Sequence, residues 1–361
     1  MRSTVMAPGL LALSGCAMSS PAEPTRSVAT AGPLAVIVVP FDASDLPAER
    51  RWLGTGIAEV VSLGLVEHPT IVQLDRARVT ALSDAATWTE DTVRRVARAA
   101  HAHAALYGRV QPDAGGLVVS PRVLDLRTGQ VTSLPALRTS DLELLLRLTT
   151  VPVLYARELQ PGATDALSPR IAKAAHPTGS LRAFELFSRG QVAFDHGDAE
   201  EAVRLVLRAV EADPQFAVAQ YRLGVAHVAL GNLWKAAAQV RAAWQIDRMM
   251  PEPYKALGDL FLGAPRQLVE QAIEAYSKAI ELRPFYADAH VGLGDTRTAK
   301  GDADGARAAY EKALTFDPFK AGTHVKLGRI FASRGLCNAA EREYERAREL
   351  DPRSPDVRCA E

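Results

Sequence analysis

AHVGLGDTRTAKGDADGARAAYEKALTFDP, Ala289 to Pro318, decides how this chain folds. Two helical segments flank Lys300-Gly301-Asp302, with Gly294 in the first and Ala306, Tyr310 and Ala313 in the second. The pattern recurs. Gly190, Gly224, Gly258, Gly294 and Gly328 follow one another at 34, 34, 36 and 34 residues. Small residues keep step: Ala202, Ala236, Ala272, Ala306 and Ala340, then Ala209, Ala243, Ala279, Ala313 and Ala347. Between them stand Val206, Val240, Tyr276, Tyr310 and Tyr344. Pro214, Pro284, Pro318 and Pro352 close four of the units.

Each position has a physical role. Two helices approach closely only where side chains are small, so the glycines and alanines mark a crossing of helix A and helix B, and the valine or tyrosine fills the gap between successive pairs. Gly197, Gly231, Gly301 and Gly335 stand where helix A must end in a left-handed residue. Proline stops helix B. One pair cannot bury its own face, whereas five stacked pairs make a continuous core. The array resembles tetratricopeptide repeats, over Ala183 to about Ser354. Two units depart from the pattern. Arg248 stands where the second repeat should end in proline, and Pro251 follows three residues later. The third repeat carries two extra residues around Gly263-Ala264-Pro265, a longer surface turn or a lip over a groove.

The resemblance implies binding on the concave face lined by the A helices. Counting each repeat from seven residues before its glycine, the groove positions are the second, fifth, ninth and twelfth, and they fall on Phe184, Phe187, Gln191 and Phe194, then Val218, Tyr221, Val225 and Val228. Glu252, Lys255, Asp259 and Leu262 follow, then Asp288, Val291, Asp295 and Thr298, then Gly322, Val325, Arg329 and Ala332. The groove is thus apolar at first and charged later. The three phenylalanines either anchor a partner segment or pack on the domain before them. The Lys/Asn/Arg carboxylate clamp of chaperone-binding members is not present, so capture of an acidic C-terminal tail is not expected.

The chain has 361 residues, room for two or three domains, with 42 basic and 42 acidic side chains. The balance holds along the chain: 17 basic and 16 acidic residues up to Leu181, 25 and 26 after it. Neither part has the basic excess that phosphate neutralisation needs, so nucleic acid is not expected as a partner.

Pro33–Pro40, PLAVIVVP, reads as a buried strand, Glu49–Val66 as a helix, Thr70–Leu74 as a strand, Glu90–Ala102 as a helix and Ala104–Val110 as a strand. Leu117–Leu126 and Gln130–Leu137 form a hairpin around Arg127-Thr128-Gly129, and Ser140–Leu159 a helix capped by Ser140 or Asp141. The fold class is therefore an α/β domain with a mixed sheet, residues 33–159, a Pro-, Ala- and Gly-rich linker over 160–180, and an all-α repeat solenoid over 181–361. AVIVVPFD (Ala35–Asp42), WLGTGIAEVVSLGL (Trp52–Leu65), HAALYGRVQ (His103–Gln111) and VSPRVLDLRTGQV (Val119–Val131) resemble the TolB-like amino-terminal domain, with Arg109 where serine is common. That resemblance implies an envelope or interaction role and transfers no catalytic residue.

Residues 1–15 read as a signal peptide and Leu13-Ser14-Gly15-Cys16 resembles the lipobox of bacterial lipoproteins. The resemblance implies acylation at Cys16 and a flexible tether over 16–32; the alternative is a chance cysteine behind an ordinary secretory signal. Ala17 in place of aspartate points to the outer membrane, with the protein facing the periplasm. Cys337 and Cys359 either pair or stay free; export makes a disulfide possible.

Enzymatic signals are weak. Gly54-Thr55-Gly56 lacks a third phosphate-loop glycine, since Glu59 stands there, and reads as a close-packed helix start. His101 and His103 have no further ligand at a recognised metal spacing. No G-x-S-x-G or HExxH is present. We expect no cofactor, no metal and no enzymatic activity. The expected function is a membrane-anchored scaffold that binds envelope proteins or peptides in the groove; the alternative makes the α/β domain the binding module and the repeats an oligomerisation device.

Overall fold

Alternate residues of the run after Pro33 serve opposite faces of a sheet: Val36 packs in one core, Ile37 and Val39 in another. The computed structural model describes residues 32–83, 88–264 and 268–355. In chain order the first half is β1 (Leu34–Val38), a 3-10 turn (Ala48–Arg50), α1 (Trp52–Leu65), β2 (Ile71–Gln73), α2 (Arg76–Ala81), α3 (Glu90–Ala99), β3 (Ala104–Asp113), β4 (Gly116–Asp125), β5 (Val131–Ser133) and β6 (Leu137–Thr139). Then come α4 (Leu144–Leu148), α5 (Thr150–Leu159) and α6 (Pro161–Ala174). The strand order is β2-β1-β3-β4-β5, with β6 also on β4. β1 runs parallel to β2 and β3, while β4 is antiparallel to β3, β5 and β6.

The mixed sheet expected from the sequence is present, with differences that have local causes. The helix expected over Ser140–Leu159 is two helices. Pro152 lacks an N–H and its ring collides with the carbonyl four residues back, so α4 stops at Leu148 and α5 starts afresh. The cap is neither Ser140 nor Asp141: α4 starts after Glu143. The linker expected over 160–180 is largely α6. Pro161 sits in its first turn, where a missing N–H does no harm, and Ile171 and Thr164 are buried. Gly64 of α1 lets this layer close in; a Cβ there would stand 2.7 Å from Pro152 and 3.1 Å from the Ile171 carbonyl oxygen.

Among the described residues the second half is ten helices in five antiparallel pairs: α7 (Leu181–Asp195) with α8 (Ala199–Ala212), α9 (Ala217–Ala229) with α10 (Leu233–Ile246), α11 (Pro251–Leu262) with α12 (Val269–Leu282), α13 (Ala287–Ala299) with α14 (Ala303–Phe316), and α15 (Ala321–Ala332) with α16 (Cys337–Leu350). Gly197, Gly231, Gly301 and Gly335 have φ of 80°, 72°, 81° and 71°, the left-handed ends that the spacing requires. Pro251, the displaced proline of repeat two, opens α11. The turn after Gly263 is longer, and residues 265–267 within it lie outside the described residues.

Pro33–Glu361 is one compact unit. Its main core crosses from sheet to repeats. Leu106, Val119 and Val123 of the sheet and Leu53, Ile57 and Val61 of α1 continue into Phe184, Phe187, Val206, Phe216 and Leu223. A second core on the opposite sheet face joins Ile37, Val39 and Tyr107 to Val93, Val96 and Ala97 of α3. Cys16 and Cys359 lie outside the described residues. Among the described residues no helix is long and apolar enough to cross a membrane.

Candidate functional site

The A helices bring the expected groove residues onto one face, but the face is not uniform. Its first repeat is covered. Phe184 and Phe187 are fully buried, Phe184 meeting Trp52 of α1 edge-on with centroids 6.2 Å apart, and Phe187 lying 4.9 Å from Phe216. Of the two roles open to these phenylalanines, packing on the preceding domain is the one observed for this pair; they are not a free anchor pocket. Phe194 is half-buried. Gln191 is buried and its amide donates to Asp195 at 3.1 Å.

An arginine from the α/β half lies in the same place. Arg76 Nε of α2 is 2.7 Å from Asp195 Oδ2, and its guanidinium also meets Glu59 of α1. Burial lowers the Arg76 pKa, with Asp195 opposing and Arg222 adding to the fall. The α/β half thus supplies its own occupant to the groove at repeat one. In repeat two, Val218, Tyr221 and Val225 are half-buried and Val228 is 45% exposed. Burial raises the Tyr221 hydroxyl pKa.

Repeats three and four carry a polar ladder. Tyr276 of α12 donates to Asp259 Oδ1 at 2.7 Å, and Lys255 donates to Asp259 Oδ2 at 2.7 Å. One repeat on, Tyr310 of α14 donates to Asp295 Oδ1 at 2.8 Å, and Lys326 of repeat five reaches back to the same oxygen at 2.7 Å. Burial works against the charge on Lys255, but Asp259 holds its pKa above the ordinary value. Lys320 and Asp288 stand 2.7 Å apart; burial opposes both charges, yet the pair keeps the lysine pKa up and the aspartate pKa down. Asp259 and Arg329 are exposed, Asp295 and Lys255 half-buried.

The sequence reading missed Tyr276, Tyr310 and Lys326. By their spacing the tyrosines read as packing side chains, and they do pack: a Cβ on Gly258 would lie 2.7 Å from the Tyr276 ring, and one on Gly292 of the next repeat 2.2 Å away. Their hydroxyls then reach the groove. The signal was in the sequence, since tyrosine in helix B goes with aspartate at the ninth groove position in repeats three and four, and valine with Gln191 or Val225 in repeats one and two. Lys326 could not be found this way, because it serves the preceding repeat.

Elsewhere, Gly54 and Gly56 start α1 in close contact: a Cβ on Gly54 would lie 2.2 Å from the Phe41 carbonyl oxygen. Among the described residues no three His, Cys, Asp or Glu are grouped to hold a metal. His103 Nδ1 accepts from Ala35 N at 3.1 Å and its ring meets Phe319 edge-on at 5.5 Å. Cys337 is disulfide-bonded, with its partner outside the described residues.

The tetratricopeptide repeat family model matches residues 187–248 and 256–321. None of the proteins of curated function matches the chain. The solved structures it is similar to include TTC0263, a thermophilic TPR protein of Thermus thermophilus, at 23% identity over 47% of this chain and 92% of that one, TM-score 0.44. PilF of Pseudomonas aeruginosa is 18% identical over 47% and 76%, TM-score 0.43. YrrB, a TPR protein with an unusual peptide-binding site, is 20% identical over 47% and 87%, TM-score 0.36. The helical half of this chain is a tetratricopeptide-repeat solenoid of five units, set behind an α/β domain with a mixed sheet.

Proposed function

We propose that this protein is a non-enzymatic scaffold for protein–protein interaction, and that it takes a partner segment along the groove of repeats three to five. One observation carries the reading. The same face is buried against α1 and α2 at repeat one, yet leaves Asp259 and Arg329 exposed among ordered lysines and aspartates farther on. Asp259, exposed but held by Lys255 and Tyr276, suits recognition of a polar segment, because little side-chain freedom is lost on binding.

We place the scaffold in a bacterial cell envelope. The lipobox-like Leu13–Cys16 supports lipidation of Cys16, Ala17 supports the outer membrane, and the TolB-like motifs of the α/β half support an envelope role. The pairing of Cys337 with Cys359 belongs to the same reading, since such an address is oxidising.

The test is crosslinking in intact cells, with mass spectrometry of what co-purifies with wild type and with the triple variant Lys255→Ala, Asp259→Asn, Arg329→Ala. A partner lost only from the variant supports the groove. Unchanged partners move the binding site to the α/β half and leave the repeats to hold copies together. Incorporation of labelled palmitate into wild type but not into Cys16→Ser tests the anchor separately.

A further inference from the structure

The ladder of repeats three and four is broken in repeat five. Tyr276 and Tyr310 each donate to an aspartate at the ninth groove position, Asp259 and Asp295, at 2.7 and 2.8 Å. Each aspartate also takes an ammonium, from Lys255 and Lys326. Repeat five keeps the tyrosine: Tyr344 is 1% exposed, and a Cβ on Gly328 would lie 2.6 Å from its ring. Its ninth position, however, holds Arg329.

The consequences are local and visible. The Tyr344 hydroxyl is buried with no hydrogen-bond partner among the described residues. Arg329 is exposed, and among the described residues it forms no ion pair. Its neighbours Lys320 and Lys326 are neutralised, by Asp288 and Asp295. Burial raises the Tyr344 pKa, with Arg329 opposing, so the hydroxyl keeps its proton and remains a donor. Gly322, at the second groove position of this repeat, leaves open space beside it. A buried donor and an uncompensated cation thus share the spot where the two preceding repeats each hold a carboxylate.

We propose that repeat five takes an aspartate or glutamate side chain of the partner segment, its carboxylate accepting from the Tyr344 hydroxyl and pairing with Arg329, in the place that Asp259 and Asp295 fill from within. The proposal rests on the groove being the binding face. A hydrogen bond to a charged acceptor is the stronger kind, and a guanidinium offers a carboxylate two parallel donors.

The experiment probes an array of random decapeptides, amidated at the C-terminus, with the full chain as wild type, Arg329→Asp and Tyr344→Phe. Thermal melts confirm that all three are folded. Wild type should favour Asp or Glu at one fixed place by about tenfold over Asn or Gln, and both variants should lose that preference while keeping the rest of the selected pattern. Arg329→Asp should also melt higher than wild type, because it restores an internal acceptor for Tyr344. Selection of peptides without an acidic place overturns the proposal, as does an acidic preference that survives both variants, or one seen only when a parallel array carries free C-termini. Each of these leaves the groove reading standing. Selection of no peptide by wild type overturns the groove reading itself, and the proposal with it.

Discussion

Arg283, at the end of the third repeat, donates to Glu67 Oε1 at 2.6 Å, although the two residues are 216 positions apart in the chain. Glu67 follows α1, and its other oxygen takes Arg170 of α6 at 2.9 Å. Arg283 also donates to Glu252 at 2.6 Å and lies over the Tyr286 ring at 5.2 Å. Burial disfavours the Arg283 charge, but the two glutamates hold its pKa above the ordinary value. One carboxylate therefore ties α1, α6 and repeat three together.

Glu67→Ala should cost about 3 kcal/mol, since it leaves a buried guanidinium with one partner where it had two. Urea unfolding measures it. A change below about 0.5 kcal/mol would show that water replaces the carboxylate and that this ion pair adds nothing to the joint between the two halves.

Phe187→Ala should lower stability by about 3–5 kcal/mol, because its ring is fully buried between Phe184 and Phe216. Partner affinity per folded molecule should stay as in wild type. Loss of affinity with unchanged stability would instead return this ring to the binding surface.

The helix crossings separate two kinds of glycine. Gly292→Ala and Gly294→Ala drive a methyl to 2.2 Å from the Tyr276 ring and 2.4 Å from the Tyr310 ring, and each should cost about 1–3 kcal/mol. Gly322→Ala meets nothing within 4 Å and should gain about 0.5 kcal/mol by restricting the unfolded chain. Melting temperatures of the three variants decide it; equal shifts would mean that the tyrosine joints yield freely.

His68 sets a pH dependence. Burial pushes its pKa down to about 4 from 6.5, and its Nδ1 accepts from Thr70 N at 3.3 Å. The unfolded chain therefore binds a proton that the folded chain refuses. Stability is full above about pH 6.5 and falls as the pH drops toward 4, by up to about 3 kcal/mol. His103, His227 and His290 are lowered too, each by burial first, and act in the same direction. Urea midpoints at pH 7.5 and pH 5 should lie closer together in His68→Gln than in wild type; an unchanged gap would assign the effect to the other three.

The repeats were legible because small residues at a fixed period leave a mark that survives variation elsewhere, and Gly301 and Gly335 could be placed in left-handed turns from their spacing alone. The strands near Ile37 and Val119 were legible from apolar runs. Helix α6 was not: Pro161, Gly162 and Pro169 have the composition of a linker, yet one proline falls in the first turn and Ile171 is drawn under α1. The ion pair of Glu67 with Arg283 has no period and no motif. Periodicity puts the expected groove residues on the A helices, but it cannot say that Arg76 and Trp52 of the same chain cover the first repeat.

The seal over Phe184, Phe187 and Phe216 gives this solenoid a direction of growth. A unit inserted ahead of Leu181 would part Trp52 from Phe184 and unroof the sheet. At the other end, a copy of repeat four joined behind Leu350 would lay its counterpart of Gly292 on Tyr344, as Gly292 already lies on Tyr276. Lengthening by duplication is closed at the first repeat.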